Sequence, residues 1–292
     1  MYAYGLRTIR FVSRKLTPSR SYQAAPGATA MNIVHVRLGA KPRPQSDILA
    51  REEPLEIRVR GQSVAVTMRT PGHDAELAAG FLLTEGIIHY RADIIEIAAC
   101  LEGETPENIL NVFLAPAVQV DFAQLTRHVF ASSSCGLCGK ASIEAVHQHF
   151  APIESKLGIS AALLARLPQR MSAAQETFAQ TGGLHAAAIF DPAGRLEVLR
   201  EDVGRHNAVD KVLGWGFLND KLPFDSRVLL VSGRASFEIM QKALAARVPI
   251  VAAVSAPSSL AVEFARESGQ TLIGFLRGRT MNVYAGAERI RK

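Results

Sequence analysis

Between Leu184 and Leu276 the hydrophobic pattern of the chain switches repeatedly between a period of two and a period of 3.6, and few architectures accommodate that. Leu184 to Phe190 reads as a strand, Asp191-Pro192-Ala193-Gly194 as a turn, and Leu196 to Leu199 as a second strand. Ala208, Val209, Val212 and Leu213 then share one helical face. Val228 to Val231 is apolar on both sides, as a buried strand requires, and precedes a helix carrying Ile239, Met240, Ala243 and Leu244. A strand from Ile250 to Val254, a helix with Leu260, Phe264 and Ala265, and a strand from Thr271 to Leu276 complete the series. Such alternation predicts a three-layer α/β domain with helices on both faces of the sheet, whose ligands sit at the C-terminal ends of the strands.

Upstream the pattern is more mixed, so the chain as a whole reads as α+β. Leu55, Ile57 and Val59, then Val64, Val66 and Met68, alternate around Gly61-Gln62 as strand, turn and strand. Thr70-Pro71-Gly72 breaks this, Asp74 is placed to cap a helix bearing Leu77, Ala78, Phe81 and Leu82, and Gly86 closes it. Ile109 to Leu114 is another strand, and residues 160 to 180 form an Ala-rich helical segment. These features divide the chain into an arm over residues 1–46, a smaller mixed N-terminal domain over 47–130, and a C-terminal domain over 131–292.

Charge supports that division. The 292 residues carry a net charge of +6, yet no Asp or Glu precedes Asp47 while Arg7, Arg10, Arg14, Lys15, Arg20, Arg37, Lys41 and Arg43 do. The rest of the chain therefore holds 25 basic residues against 27 acidic ones, a balance of −2. Nucleic-acid binding is not expected of so neutral a body. The arm, rich in Arg and Ser and interrupted by Pro18, Pro26, Gly27, Pro42 and Pro44, reads as disordered. It is either a transit peptide or a solvated extension upstream of a start at Met31. With 48% apolar residues and no uninterrupted apolar run of 18, the chain has no predicted membrane helix, and a cytoplasmic location is expected.

Two sets of residues carry candidate chemistry. The first lies at the expected strand ends: Asp202-Val203-Gly204-Arg205-His206-Asn207, Ser232-Gly233-Arg234, Ser255-Ala256-Pro257-Ser258-Ser259 and Arg277-Gly278-Arg279. Glycines leave backbone N–H groups accessible and arginines supply planar charged forks, the combination that holds phosphates and bases. The second is Ser134-Cys135-Gly136-Leu137-Cys138-Gly139-Lys140, at the start of a helix with Ile143, Val146 and Phe150 on one face. Thiols there, beside Lys140, are expected to ionise readily. Three uses compete for them: a zinc half-site, a thioredoxin-type dithiol and a sulfur relay through a persulfide. The zinc reading lacks two further ligands, since neither Cys100 nor His147-Gln148-His149 supplies a second pair at the required spacing. Cys100, in an apolar run, reads as buried and inert.

Seven motifs, Glu53-Pro54-Leu55, Thr67-Met68-Arg69-Thr70-Pro71-Gly72-His73-Asp74, the run from Gly80 to Ile88, Ser134 to Lys140, Thr181-Gly182-Gly183-Leu184-His185, the run from Glu201 to Lys211, and Ser232-Gly233-Arg234, occur in order along the chain. This set resembles the FdhD family of formate dehydrogenase accessory sulfurtransferases. The resemblance implies a carrier that takes sulfur from a cysteine desulfurase as a cysteine persulfide. It further implies delivery of that sulfur to the molybdenum bis(guanine dinucleotide) cofactor before the cofactor enters formate dehydrogenase. It also implies a homodimer and a cytidine-deaminase-like C-terminal domain that holds the guanine nucleotide ends, for which GDP would be a fragment mimic. The persulfide cysteine corresponds to Cys135, with Cys138 as its partner, and the cofactor-binding stretch to Gly274-Phe275-Leu276-Arg277-Gly278-Arg279, alongside Arg205, Ser232, Gly233 and Arg234.

No structural metal is expected. Zinc deaminases place H-x-E after the second strand of the sheet and P-C-x-x-C after the third. Here the matching stretches read His206-Asn207-Ala208 and Ser232-Gly233-Arg234-Ala235-Ser236, without the general-base Glu or the cysteines. A cofactor-binding chaperone that uses no sulfur chemistry is the alternative function.

Overall fold

The computed structural model describes residues 25–100, 105–122 and 150–291. Six strands form the main sheet: β8 (His185–Phe190), β9 (Leu196–Asp202), β10 (Val228–Val231), β11 (Ile250–Ala253), β12 (Thr271–Arg277) and β13 (Thr280–Ala285). Their order is β13-β12-β11-β10-β8-β9, with β10, β11 and β12 parallel and β8 antiparallel to both of its neighbours. The predicted strands are present within one to three residues of their expected ends. β13 was not expected, because its residues Thr280, Asn282 and Val283 are exposed and give no apolar alternation.

Period-two packing divides each strand between two cores. Ala187, Ile189, Leu229, Val231, Val251 and Ala253 face helices α5 (Arg205–Leu218), α6 (Phe237–Ala245) and α7 (Ser259–Glu267). Ala186, Ala188, Val228, Leu230, Ile250 and Ala252 face short helices, α2 (Ala161–Leu164) and α3 (Leu167–Ala173), through Leu164, Leu167 and Met171. Both faces are thus covered, which explains why the strands read as continuously apolar.

The N-terminal part is a second sheet of order β4-β3-β6-β5, built from β3 (Glu53–Val59), β4 (Gln62–Arg69), β5 (Ile94–Ala99) and β6 (Ile109–Leu114). Helix α1 (Asp74–Thr84) joins it to the main body, and Leu55, Ile57, Leu77 and Leu82 belong to the same core as Val209, Val212 and Leu213 of α5. Glycines let the two helices approach: a Cβ on Gly80 would lie 1.9 Å from the Asp210 carbonyl oxygen, and one on Gly214 would lie 1.8 Å from that of Glu76.

Four expectations are corrected. Residues 28–46 are not disordered, since β1 (Ala28–His35) pairs antiparallel with β2 (Arg43–Ala50) in a hairpin. Cross-strand pairs such as Thr29 with Leu49 and Ala30 with Ile48 support it, and its base is held by the Ala25 N–H donating to Gln180 Oε1 at 3.0 Å. The buried face of β4 carries Val64, Ala65 and Arg69 rather than Val64, Val66 and Met68, because a bulge opposite Ile57 and Arg58 inserts a residue and reverses the alternation. The α1 cap is His73, in the left-handed region at φ 59°, whereas Asp74 lies within the first turn and receives the Arg69 guanidinium on both carboxylate oxygens, at 3.1 and 3.0 Å. Finally, Cys100 is half-buried rather than buried.

Candidate functional site: the cleft at the strand ends

Two of the sequence motifs meet across the domain junction and set the position of the α5 N-terminus. Asp202, fully buried at the end of β9, pairs with Lys211 Nζ at 2.7 Å. It also accepts hydrogen bonds from the backbone N–H groups of Thr70 and Gly204, at 3.1 and 2.8 Å, and from Asn207 Nδ2 at 3.0 Å. Lys211 Nζ donates in turn to the Thr70 carbonyl at 2.7 Å, and Asn207 Nδ2 donates to that of Met68 at 2.8 Å. The turn carrying Val203, Gly204 and Arg205 is therefore tied on both sides to the segment after β4.

The loops after β10 and β11 are zipped together. Ser255 N–H donates to the Gly233 carbonyl, Ala235 N–H to that of Ala256 and Ser258 N–H to that of Ala235, while Phe275 N–H reaches back to Ser255 O at 3.0 Å. Ser232 extends the sheet, its N–H donating to Ala186 O and its hydroxyl accepting from Ala186 N–H, both at 2.9 Å.

Above these strand ends lies a cleft of about 650 Å3, within the usual range for small-molecule sites. Leu184, His185, Ser232, Val254, Leu276, Arg277 and Gly278 at the strand ends line it together with Met171, Ser172, Gln175, Phe178 and Gly182 from the short helices before β8 and the turn that follows them. Arg277 is steadied by its Nε–H donating to the Val254 carbonyl at 2.8 Å, which leaves the rest of an exposed guanidinium available. Gly278 adopts φ +54°, so any L side chain there is strained.

Of the expected site residues, the structure brings Ser232, Leu276, Arg277 and Gly278 together in the cleft lining. Gly233 and Arg205 adjoin it, since a Cβ on Gly233 would stand 3.4 Å from His185 Nδ1 and 3.8 Å from Arg205 Cβ. Arg234 and Arg279 are exposed and outside the lining. Gly274 packs against Pro257 and Tyr284, and Phe275 lies beneath the Arg277 guanidinium, 6.0 Å from its ring centre. Neither contributes to the lining. Cys135 and Cys138 lie outside the described residues.

None of Arg205, Arg234, Arg277 and Arg279 forms an ion pair with a described carboxylate, and Arg205 Nε is buried without a hydrogen-bond partner. Of these four, Arg205 acts on the nearby imidazoles. Burial, followed by Arg205, lowers the His185 pKa, and burial, Arg205 and Lys242 push His206 down to about 4. His206 is consequently neutral near pH 7, with Nε2 3.4 Å from Ser236 Oγ. Glu238 and Asp202 oppose these shifts only in part, and the edge stays electropositive, as an anion-binding surface requires.

Gln175 and Phe178 were missed from the sequence because Gln175 sits in the break between α3 and α4 (Glu176–Thr181) and Phe178 within α4, where the Ala-rich pattern conveys only helix. The Gly182-Gly183 pair, with Gly182 at φ 65° as the α4 C-cap, is the local signal that the chain turns back toward the strand ends there.

The fold is that of a mixed α/β protein, and comparison with known proteins agrees with it. Residues 50–291 match the sequence model of the FdhD/NarQ family, and the chain belongs to that family. A Mycobacterium tuberculosis protein named sulfur carrier protein FdhD is 53% identical over 257 residues, covering 85% of this chain and 92% of its own. A Saccharolobus solfataricus protein of the same name is 41% identical over 248 residues, covering 84% and 91%. The crystal structure of a candidate formate dehydrogenase accessory protein from Desulfotalea psychrophila superposes with a TM-score of 0.73 at 27% identity, covering 91% of this chain and all of that one. No helix among the described residues is long and apolar enough to cross a membrane.

Proposed function

We propose that this protein is a sulfur carrier serving formate dehydrogenase, which loads sulfur on Cys135 and presents it to a molybdenum bis(guanine dinucleotide) cofactor held by its nucleotide ends in the strand-end cleft. The observation that carries the reading is the cleft itself: Arg277, Gly278 and Ser232 converge there, and Arg277 forms no ion pair with a described carboxylate. An electropositive strand-end cleft suits a pyrophosphate-bearing ligand.

Loading is a thiol exchange. The Cys135 thiolate attacks the outer sulfur of a cysteine desulfurase persulfide and the desulfurase cysteine leaves as a thiolate, so no net oxidation occurs. Cys138, three residues on, is the partner thiol. The C-terminal sheet is read as deaminase-like, with His206 at the head of α5 and Ser232 to Ser236 ahead of α6 in the places where zinc deaminases keep their ligands. Ala208, in the place of the general base, is packed in the core. The desulfurase as donor and the homodimer rest on the family resemblance, and the cytoplasmic location on the composition of the chain.

The test has two arms. Intact mass measurement after incubation with a cysteine desulfurase and cysteine is expected to find added sulfur on the peptide containing Cys135 and Cys138. Calorimetric titration is expected to find GDP binding that Arg277→Ala weakens. GDP binding without sulfur loading would favour a cofactor chaperone instead.

A further inference from the structure

Gln175 is the polar group of the cleft that the fold leaves without a purpose. Its side chain is 6% exposed and faces the cleft, yet its amide has no hydrogen-bond partner among the described residues. Its backbone is fully used, N–H donating to Ser172 O at 3.3 Å and C=O accepting from Ala179 N–H at 3.1 Å. Its amide atoms keep access to the cleft, for among the described residues only Arg205 Nε is a fully buried side-chain polar atom without a partner. An unpaired amide at a cleft wall is therefore set to meet an incoming group.

We infer that Gln175 reads the hydrogen-bonding edge of a purine base, with Phe178 as the surface on which the base stacks. This rests on the proposal that the cleft takes a nucleotide, and it specifies which end of the nucleotide lies where. The two parts of the cleft lining are chemically different. The strand ends contribute the Arg277 guanidinium and the open backbone of Gly278, suited to phosphate, whereas the α3–α4 segment contributes an amide, the Ser172 hydroxyl and the ring of Phe178, which is 40% exposed. A carboxamide presents one donor and one acceptor in a plane, matching the adjacent O6 acceptor and N1–H donor of guanine. Stacking on an aromatic ring is tolerant of base identity, so discrimination falls to the amide.

The short helix bearing these groups is held in place independently of the ligand. The Glu201 carboxylate accepts from Thr177 N–H and Phe178 N–H, at 2.9 and 2.8 Å. Gln180 Oε1 on the same helix receives Ala25 N–H. The amide and ring are thus presented from a fixed element, and Phe275, the aromatic within the cofactor-binding stretch, lies outside the lining.

The experiment titrates the full chain and its Gln175→Leu variant with three probes: GDP, nebularine 5′-diphosphate (whose base lacks both O6 and N1–H) and inorganic pyrophosphate. Leu keeps the volume and removes the hydrogen bonds. GDP is expected to bind the variant about 5- to 30-fold more weakly, the range for lost hydrogen bonds. Nebularine diphosphate is expected to bind both proteins alike, and pyrophosphate likewise, which also establishes that the variant is folded. Phe178→Ala is expected to weaken both nucleotides and spare pyrophosphate. Equal losses for all three probes in Gln175→Leu would make Gln175 a structural residue and overturn the inference. So would unchanged GDP affinity in Gln175→Leu while Arg277→Ala still weakens GDP, which would leave the nucleotide reading intact. GDP binding that neither variant alters, or no GDP binding to the unaltered protein, would overturn both readings.

Discussion

Lys211→Met tests whether the junction behind the site depends on a buried ion pair. Lys211 and Asp202 have side chains 1% and 0% exposed and lie 2.7 Å apart. Removing one partner of a buried pair typically costs about 3–5 kcal/mol, because the other charge is stranded. Met retains most of the aliphatic volume, so the packing loss is small. Asp202 also keeps three donors, the Thr70 and Gly204 N–H groups and Asn207 Nδ2, which places the cost at the lower end. The Thr70 carbonyl loses its Lys211 donor as well, adding about 1 kcal/mol. The expected loss is about 3–4 kcal/mol, which corresponds to a fall in Tm of about 7–14 °C for a large domain. Urea unfolding followed by the single tryptophan, Trp215 on α5, and independently by far-UV circular dichroism measures it. In Lys211→Met/Asp202→Asn the stranded charge is absent, so the double variant is expected to be more stable than the sum of the single losses allows. A loss below about 1 kcal/mol in Lys211→Met, or strict additivity, would refute the reasoning.

Other consequences are as direct. Gly80→Ala is expected to cost about 1–3 kcal/mol in thermal unfolding, since its Cβ would meet the Asp210 carbonyl at 1.9 Å and α1 must move away from α5. Arg277→Ala is expected to weaken GDP by about 1.5–3 kcal/mol in calorimetry, the range for a hydrogen bond to a charged group. The same titration should find Cys135→Ala unchanged, although that variant no longer activates the client dehydrogenase. The His206 imidazole is held near 4 in the folded chain against 6.5 when free, so the unfolded chain takes up the proton first as pH falls. Its contribution is complete above about pH 7, declines between 6.5 and 4, and is flat below that. Urea midpoints across this window are expected to fall less steeply for His206→Gln than for the unaltered protein.

The alternation from Leu184 to Leu276 was enough to predict β8 to β12, the helices between them and the location of a site at the strand ends. The reason is local: strands covered on both faces must be continuously apolar, and amphipathic helices must recur every 3.6 residues, whatever the rest of the chain does. Ser232, Arg277 and Gly278 were legible for the same reason, each standing at or just past a strand end, whereas Leu276 was named only through the family resemblance. The family motifs were also legible in sequence, and they identified Cys135 and Cys138 as the thiols to test.

Tertiary structure decided what depends on partners distant in the chain. The hairpin at residues 28–50 is anchored by Gln180, some 155 positions away from Ala25, and a basic, proline-containing stretch gives no local sign of such a contact. The inward face of β4 was set by a bulge against β3, and a shift of one residue exchanges the two faces of a strand. Arg69 and Lys211 are buried because Asp74 and Asp202 fold onto them. The α3–α4 part of the cleft lining is likewise a product of packing. Gln175 becomes a candidate recognition residue because α3 and α4 bring it into the same cleft as Arg277 with no hydrogen bond from its amide to a described residue, and no periodicity in the sequence encodes the absence of a hydrogen bond.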